Sequence, residues 1–279
     1  MTAQILTGET WESYTKAPAY GSSAIEAFPT MSRERWAHEY AGEGRYSGAA
    51  SKFAAGGGAL DALVTANKDF EECFAVKPEG MTFASKEGKA WRDAQGSKEI
   101  IDAKQEAEIR ASVPRVKEAI SVLAGSRHVS YQVTIRGEIE GLDVQTRPDI
   151  WIDGEVDGKP LLDIPDLKYV SDIAGFVRNF VGSRYEIQTA LAWSLIEQTG
   201  RDMDTVRISF LLCESGTTMP QVVVYFLEPE DIRHMVRRLK NRCKKIVEAQ
   251  ESPCGLIDSV DFRTLELPGW ARRKLEEEE

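Results

Sequence analysis

Two acidic side chains and one lysine stand at the ends of two neighbouring apolar runs in the middle of the chain. Asp149 precedes the run 150–152, and Asp166 follows the run 161–164, with Lys168 two residues later. If the two runs form paired strands, Asp149 and Asp166 come close together. Because side chains alternate along a strand, Lys168 points to the same side as Asp166. The spacing therefore predicts two carboxylates and an amine on one patch.

Such a patch suits phosphodiester hydrolysis. Two close carboxylates repel each other unless a cation neutralises them, and Mg²⁺ binds through one or two protein carboxylates, waters and substrate phosphate. A lysine beside the ion can position the attacking water or help to deprotonate it. Pro-Asp at a strand start and Asp-x-Lys also occur often by chance, so an ordinary turn and a surface pair stay open as the alternative.

The elements around this patch change from helical to strand-like periodicity. Short apolar runs predict three strands, which we expect to form an antiparallel meander with Gly-rich turns: HVSYQVTIRG, EGLDVQTRPDIWIDG and KPLLDIPDLKYV. A long helix over 172–199 is predicted next, with Ser171 as its cap. Two further strands, TVRISFLLCE and PQVVVYFLE, precede a basic helix from Pro229 to about Ala249.

The sequence before the strands is mainly helical. MSRERWAHEYA is predicted as a helix behind the cap candidates Thr30 and Ser32. Three glycines at 56–58 lead into an amphipathic stretch. The charged region 85–124 predicts two helices, or one helix kinked at Pro114. Together with the strands, this order indicates an α/β fold.

Composition indicates an ordinary globular protein of 279 residues, with 42% hydrophobic and 29% charged residues. No apolar run approaches the roughly 18 residues of a membrane helix, and the N-terminus lacks a basic-then-apolar signal, so we expect a cytoplasmic protein with no membrane contact.

Four separated cysteines without a Cys-x-x-Cys pair argue against zinc, iron–sulfur or disulfide frameworks and for reduced, inert thiols.

The formal net charge of -10 argues against indiscriminate binding to nucleic acid, because phosphate contacts come from Lys and Arg. It does not exclude an enzyme that acts on nucleic acid. Clustered acids that hold metal ions make a chain acidic overall, while basic residues can still line one face. The glycines at 56–58 lack the following Lys-Ser/Thr of a P-loop, so nucleotide binding is not predicted.

Several segments together resemble the PD-(D/E)XK nuclease superfamily and, within it, the phage and prophage RecE-like, or exonuclease VIII-like, group. The segments are GLDVQTRPDIW, LLDIPDLKYV and SRYEIQTALAWSLIEQTG, with LPGW near the C-terminus and YGSSAIEAF near the N-terminus. The resemblance covers most of the chain, but only thinly before residue 50. It implies a PD-(D/E)XK nuclease-like core, with a central mixed β-sheet flanked by α-helices. Residues 1–50 would be an N-terminal helical or irregular segment and 51–279 the nuclease domain, in one compact unit.

The resemblance also implies roles for individual residues. Asp149 and Asp166 would bind Mg²⁺, for which Mn²⁺ could substitute, together with the backbone carbonyl of Leu167. Lys168 would be the catalytic lysine. Tyr185 and Gln188 match the Tyr-x-x-Gln that faces the active site in this group. The alternative for that pair is a helix that packs its polar edge on the sheet.

The sequence departs from the family pattern at two positions. Where a histidine is expected after the Gly-rich segment, Asp61 stands in GGALDALV, either as a third metal-binding carboxylate or as a solvent-facing or capping residue. The segment DIPDLK contains two aspartates, so Asp163 competes with Asp166 for the motif position. Asp166 is favoured because it precedes Lys168 by two residues, and Pro165 is predicted to mark a bulge.

Basic residues supply candidates for DNA contact. Arg147, just before Asp149, could hold a substrate phosphate, although an arginine at a strand edge often faces solvent. The basic helix near the C-terminus could form a DNA track through Arg237, Arg238 and Lys244, with a solvated face as the alternative.

The function that the resemblance implies is a Mg²⁺-dependent DNA exonuclease. It would digest linear double-stranded DNA from an end, 5′ to 3′, and leave 3′ single strands for recombination. Its partners would be DNA ends and a single-strand annealing protein, and it would form a homo-oligomeric ring. The alternatives are a PD-(D/E)XK endonuclease of repair or defence, and a non-catalytic DNA-binding relative.

Overall fold

A computed structural model describes residues 2–41, 52–66, 69–180 and 184–251. The helices are α1 (Trp11–Lys16), α2 (Ser22–Ala27), α3 (Arg33–Trp36), α4 (Lys52–Thr65), α5 (Phe70–Cys73), α6 (Lys86–Ala94), α7 (Ala103–Ala124), α8 (Ile173–Arg178), α9 (Arg184–Gln198) and α10 (Pro229–Glu251). The strands are β1 (Gln4–Leu6), β2 (Phe74–Lys77), β3 (Glu99–Asp102), β4 (His128–Tyr131), β5 (Thr134–Ile139), β6 (Leu142–Thr146), β7 (Ile150–Val156), β8 (Lys159–Val170), β9 (Val206–Glu214) and β10 (Val222–Phe226).

The central element is a five-stranded sheet with the strand order β10-β9-β8-β7-β4. β8 and β9 are parallel, and α8 and α9 lie in the crossover between them, whereas the other pairs are antiparallel. Leu162 and Ile164 belong to the core cluster that includes residues of α9 and α10, while Ile152 and Leu211 belong to the cluster that includes residues of α4 and α7. The predicted α/β fold, a mixed sheet flanked by helices, is confirmed.

The predicted three-stranded meander is wrong in detail, because two of its strands are interrupted. The first breaks between β4 and β5 at Gln132, whose φ of 54° lies in the left-handed region. The second breaks between β6 and β7 at Arg147 and Pro148, since proline supplies no N–H and restricts the residue before it. As a result, β5 and β6 join β1 in a separate three-stranded sheet.

Two hairpin turns of two residues lie in the predicted Gly-rich segments. Glu140 and Gly141 connect β5 to β6, and Asp157 and Gly158 connect β7 to β8. All four residues have positive φ, between 51° and 79°. This is the two-residue turn whose twist matches that of paired strands, and it fixes the register of β7 against β8.

Other differences from the sequence-based prediction concern helix boundaries. The helix predicted over 172–199 is two helices, with Asn179 as the C-cap of α8 and Asp172, not Ser171, as its N-cap. Pro114 lies inside a single helix, α7. The glycines at 56–58 lie within α4 rather than before it. None of the helices described is both long and apolar enough to cross a membrane.

The described part of the N-terminal segment packs on the same core as the sheet. β1 pairs with β5, and Tyr20 exchanges backbone hydrogen bonds with Asp143 and Gln145 at 2.9 and 3.0 Å. Ser32 caps α3 as predicted, and the buried Trp36 donates from its indole Nε1 to the carbonyl oxygen of Ala24 at 2.6 Å. The segment LPGW lies outside the described residues.

Candidate active site

The start of β7 and the second half of β8 bring the predicted acids and lysine together. β7 pairs with β8 from Val156↔Lys159 to Ile152↔Asp163, and continuing this register places Asp149 across from Asp166. Beyond Asp163, β8 pairs only with β9, so its other edge is open to Asp149. The Asp149 carboxylate accepts a hydrogen bond at Oδ2 from the backbone N–H of Leu167 at 3.0 Å.

Asp166 is held by two side chains. It is only 7% exposed, its Oδ2 forms an ion pair with Lys168 Nζ, and its Oδ1 accepts a hydrogen bond from Gln188 Nε2 at 2.6 Å. Lys168 Nζ also lies 5.2 Å from the ring centroid of Tyr185, a cation–π distance. The Tyr185 ring in turn packs against Phe176 and Phe210. The predicted Tyr-x-x-Gln pair thus contacts the lysine and one of the acids.

Asp61 projects from α4 toward the same place. Leu60 and Val64 on that helix are buried and Leu63 is partly buried in one core cluster, which orients the helix as its amphipathic pattern predicts. Asp61 is half-buried and belongs to the lining of the cleft that contains Asp149. A fully solvent-facing position, one of the alternatives for this residue, does not occur.

Gln132 connects two of the acids and was missed by sequence reasoning. Its Nε2 lies 3.2 and 3.3 Å from the two carboxylate oxygens of Asp61 and 3.2 Å from Oδ1 of Asp149. Its backbone N–H donates to the carbonyl oxygen of Asp149 at 3.1 Å. The residue lies inside what the sequence presents as one continuous strand, so no signal marked it.

The charges of this cluster perturb one another. Burial, followed by repulsion from Asp166 and Asp61, raises the pKa of Asp149 well above its usual value. Burial alone would lower the pKa of Lys168, but the carboxylates of Asp166 and Asp149 outweigh burial and raise this pKa. Lys168 is therefore a cation at neutral pH.

Asp163, the alternative to Asp166, faces away from this cluster. It is fully buried between two arginines: Arg127 Nη2 lies 2.6 Å from Oδ2, and Arg207 Nε lies 2.5 Å from Oδ1. Because Asp163 and Asp166 differ by three positions, the alternation of the strand sends them to opposite faces. Pro165 does not mark the predicted bulge, since β8 and β9 stay in register through Pro165↔Ser209.

Arg147 lies beside the acids, in the wall of a cleft of about 290 Å³ that also includes Asp61, Asp149 and Gln188. Its Nη2 donates to the carbonyl oxygen of Glu9 at 3.0 Å, and its guanidinium lies 5.6 and 5.9 Å from the ring centroids of Tyr14 and Trp11. Burial lowers the pKa of Arg147. Within the described part of the chain, its Nε and Nη1 are buried and have no hydrogen-bond partner.

The three basic residues predicted as a DNA track lie on α10, and they do not belong to the lining of this cleft as described. Arg238 forms an ion pair with Glu186 of α9, Lys244 lies 4.0 Å from Glu248, and Arg237 contacts the ring of His234. The structure thus places these side chains apart from the acids, and their contact with DNA stays a prediction.

The donor set fits a hard cation that keeps part of its water shell. Among residues 2–41, 52–66, 69–180 and 184–251, no three His, Cys, Asp or Glu side chains form a ready ligand group. In the free protein, Gln132 Nε2 bridges Asp61 and Asp149, and Lys168 forms an ion pair with Asp166. Mg²⁺ needs only one or two protein carboxylates, so Asp149 and Asp166 with the Leu167 carbonyl are a sufficient candidate set.

Comparison with known proteins supports the fold. No protein-family model and no curated protein matches the sequence. Among solved structures, the chain is similar to a crystal structure from Eubacterium rectale that is described as a "Putative exonuclease", with a TM-score of 0.59 and 15% sequence identity. The match covers 94% of this chain and 97% of that chain. The comparison therefore supports the fold, which this chain shares with that structure over nearly its whole length.

Proposed function

We propose that this protein is a Mg²⁺-dependent DNA exonuclease that hydrolyses phosphodiester bonds of linear double-stranded DNA. The observation that carries the proposal is the convergence of Asp149, Asp166 and Lys168 at the open edge of β8, with Asp61 close by. The name of the structural neighbour agrees with a nuclease. The finer expectations, 5′-to-3′ polarity and 3′ single strands left for recombination, belong to the same proposal and come from the family resemblance.

In this proposal Asp149, Asp166 and the Leu167 carbonyl hold the cation, with Asp61 as a further carboxylate. The raised pKa of Asp149, caused by burial and by the two neighbouring acids, supports this assignment, because a divalent cation removes the repulsion that raises it. When bound, Mg²⁺ would polarise the phosphate and acidify the attacking water, and Mn²⁺ could take its place.

The other residues of the cluster act through position and charge. Lys168 is protonated at neutral pH, so its ammonium can orient the attacking water and stabilise negative charge that develops on the phosphate. Gln188 fixes the Asp166 carboxylate through the 2.6 Å hydrogen bond. Tyr185 supports the Lys168 ammonium with its ring. Each of these contacts already exists in the free protein, so the groups need little rearrangement when DNA binds.

Two other functions are alternatives to an exonuclease. A PD-(D/E)XK endonuclease of repair or defence would use the same acids and lysine. A non-catalytic DNA-binding relative has no need for a buried lysine beside two buried carboxylates, because burying such charges is costly without a function. We therefore favour an enzyme, which we expect in the host or bacterial cytoplasm as a homo-oligomeric ring that works with an annealing protein.

Digestion of linear and covalently closed circular duplexes distinguishes an exonuclease from an endonuclease. The exonuclease should release nucleotides from the linear duplex in Mg²⁺, leave the closed circle intact, and stop in EDTA. Cutting of the closed circle would instead identify an endonuclease. Strand polarity follows from the same reaction when the 5′ or the 3′ end of the linear duplex carries the label.

Replacing Asp61 tests whether this residue contributes to metal binding at the position where the family resemblance implies a histidine. We expect Asp61→Asn to raise the Mg²⁺ concentration needed for half-maximal digestion roughly 10-fold, because a neutral amide oxygen attracts the cation less strongly. Asp61→His, which restores the residue expected from the resemblance, should stay closer to wild type. Equal Mg²⁺ dependence in all three proteins would remove Asp61 from the site.

Arg147 is expected to bind a DNA phosphate. Arg147→Ala should raise KM roughly 10- to 100-fold with a smaller effect on kcat, because a charge-assisted hydrogen bond to the substrate is lost. The negative slope of log affinity against log salt should also become shallower by about one unit. Arg115→Ala, at an exposed position on α7, is the matched control and should change neither quantity. An unchanged salt slope for Arg147→Ala would contradict the assignment.

A further inference from the structure

Gln132 makes an unusual set of contacts for a neutral amide. One nitrogen, Nε2, lies at 3.2–3.3 Å from three carboxylate oxygens that belong to Asp61 and Asp149. An amide nitrogen has two hydrogens, so it cannot form short, straight hydrogen bonds to three acceptors. A single neutral donor therefore bridges the carboxylates of Asp61 and Asp149.

Gln132 is buried and has an uncommon backbone conformation. Gln132 is only 8% exposed, and its φ of 54° is a conformation that residues other than glycine rarely adopt. Glycine would fit the turn between β4 and β5 with less strain, yet it would carry no side chain to the acids. The backbone N–H bond to the Asp149 carbonyl holds the residue from the other side.

We propose that Gln132 stands in for the cation in the metal-free protein: its amide keeps Asp61 and Asp149 together, and the bound cation displaces it. This inference rests on the metal site of the proposed function. A hard cation attracts carboxylate oxygens with a full charge and at much shorter distances than an N–H dipole, so the two cannot occupy the same point. Gln132 is thus a positioning residue whose contribution is largest before metal binds.

Thermal unfolding in EDTA and in saturating Mg²⁺ tests this role, with Gln132→Met as the variant because methionine has a similar length and no amide. In EDTA the Tm of Gln132→Met should fall by roughly 3–6 °C, since Asp149, whose carboxylate is buried, and the half-buried Asp61 lose their shared donor. In Mg²⁺ it should return close to the wild-type Tm, because the cation replaces the amide. The Mg²⁺-induced rise in Tm is therefore larger in the variant, and calorimetric titration should show tighter Mn²⁺ binding.

Gln198→Met is the matched control. Gln198 is half-buried on α9 and donates to the carbonyl oxygen of Glu138 at 2.8 Å, ten residues along the helix from Gln188. Its replacement should lower the Tm equally in EDTA and in Mg²⁺.

Two outcomes would exclude this role of Gln132 without affecting the proposed metal site. An equal loss of Tm in EDTA and Mg²⁺ for Gln132→Met would show that the residue only stabilises the turn. A smaller Mg²⁺-induced rise than in wild type, with weaker Mn²⁺ binding, would make Gln132 a ligand rather than a stand-in. If instead the wild-type protein binds neither Mg²⁺ nor Mn²⁺, the metal site of the proposed function fails, and this inference fails with it.

Discussion

Replacing Lys168 with methionine is expected to lower Mg²⁺-dependent digestion of linear duplex DNA by about 10²- to 10⁴-fold. The ammonium is the only positive charge in direct contact with Asp166 among the described residues, and it faces the point where the acids converge. Methionine keeps much of the side-chain volume but removes the charge. The rate of nucleotide release at saturating DNA measures the effect, because the loss should fall on kcat.

Controls separate this loss from misfolding. Lys89→Met, at an exposed position on α6, should digest DNA like the wild type. Lys168→Met should keep a cooperative unfolding transition, since β8 stays paired with β9 on one side. Lys168→Arg is expected to recover little activity, because a planar guanidinium does not reproduce a compact ammonium. Digestion by Lys168→Met within twofold of wild type would exclude a catalytic role for the lysine.

The largest effect on stability is expected at Asp163. Its carboxylate is fully buried between Arg127, whose side chain is 3% exposed, and Arg207. Asp163→Ala leaves the Arg127 charge buried without its partner, which should lower the free energy of unfolding by about 3–5 kcal/mol. Urea unfolding monitored by tryptophan fluorescence measures this change.

A double variant shows whether Asp163→Ala destabilises the protein through the unpaired charge of Arg127 or through lost packing. Asp163→Leu combined with Arg127→Met removes both buried charges, and most of the lost stability should return. The Mg²⁺ dependence of digestion should stay that of the wild type, because Asp163 and Asp166 point to opposite faces of β8. A cost below about 1 kcal/mol for Asp163→Ala would contradict the arrangement of this ion cluster.

The juxtaposition of Asp149, Asp166 and Lys168 could be predicted from the sequence because it depends only on strand periodicity and hairpin register. Asp157-Gly158 fixes that register through positive φ at both residues, and the alternation of β8 then puts Asp166 and Lys168 on one side. The same alternation separates Asp163 from Asp166, so the choice between the two aspartates was already implicit in their odd spacing.

Features that depend on tertiary contacts could not be predicted. Gln132 lies inside a continuous strand pattern, and only the change of partner sheet between β4 and β5 gives it a left-handed backbone conformation. The parallel strands β2 and β3 have four residues each, and β3 lies inside the charged region 85–124, for which the sequence predicts helices. The helix predicted over 172–199 is interrupted after Arg178, where the C-cap Asn179 leaves the helical conformation with a φ of -100° and a ψ of 8°.

In the proposed mechanism, Asp149 and Asp166 hold the divalent cation on which the digestion of DNA depends. This assignment is tested most directly by nucleotide release from linear duplex DNA in Mg²⁺, with the wild type compared with the double variant Asp149→Asn/Asp166→Asn. The substitutions keep the size of both side chains and remove both charges. We expect digestion by the wild type that EDTA abolishes, and no metal-dependent digestion by the double variant. Equal digestion by both proteins, or none by the wild type in either Mg²⁺ or Mn²⁺, would contradict this assignment.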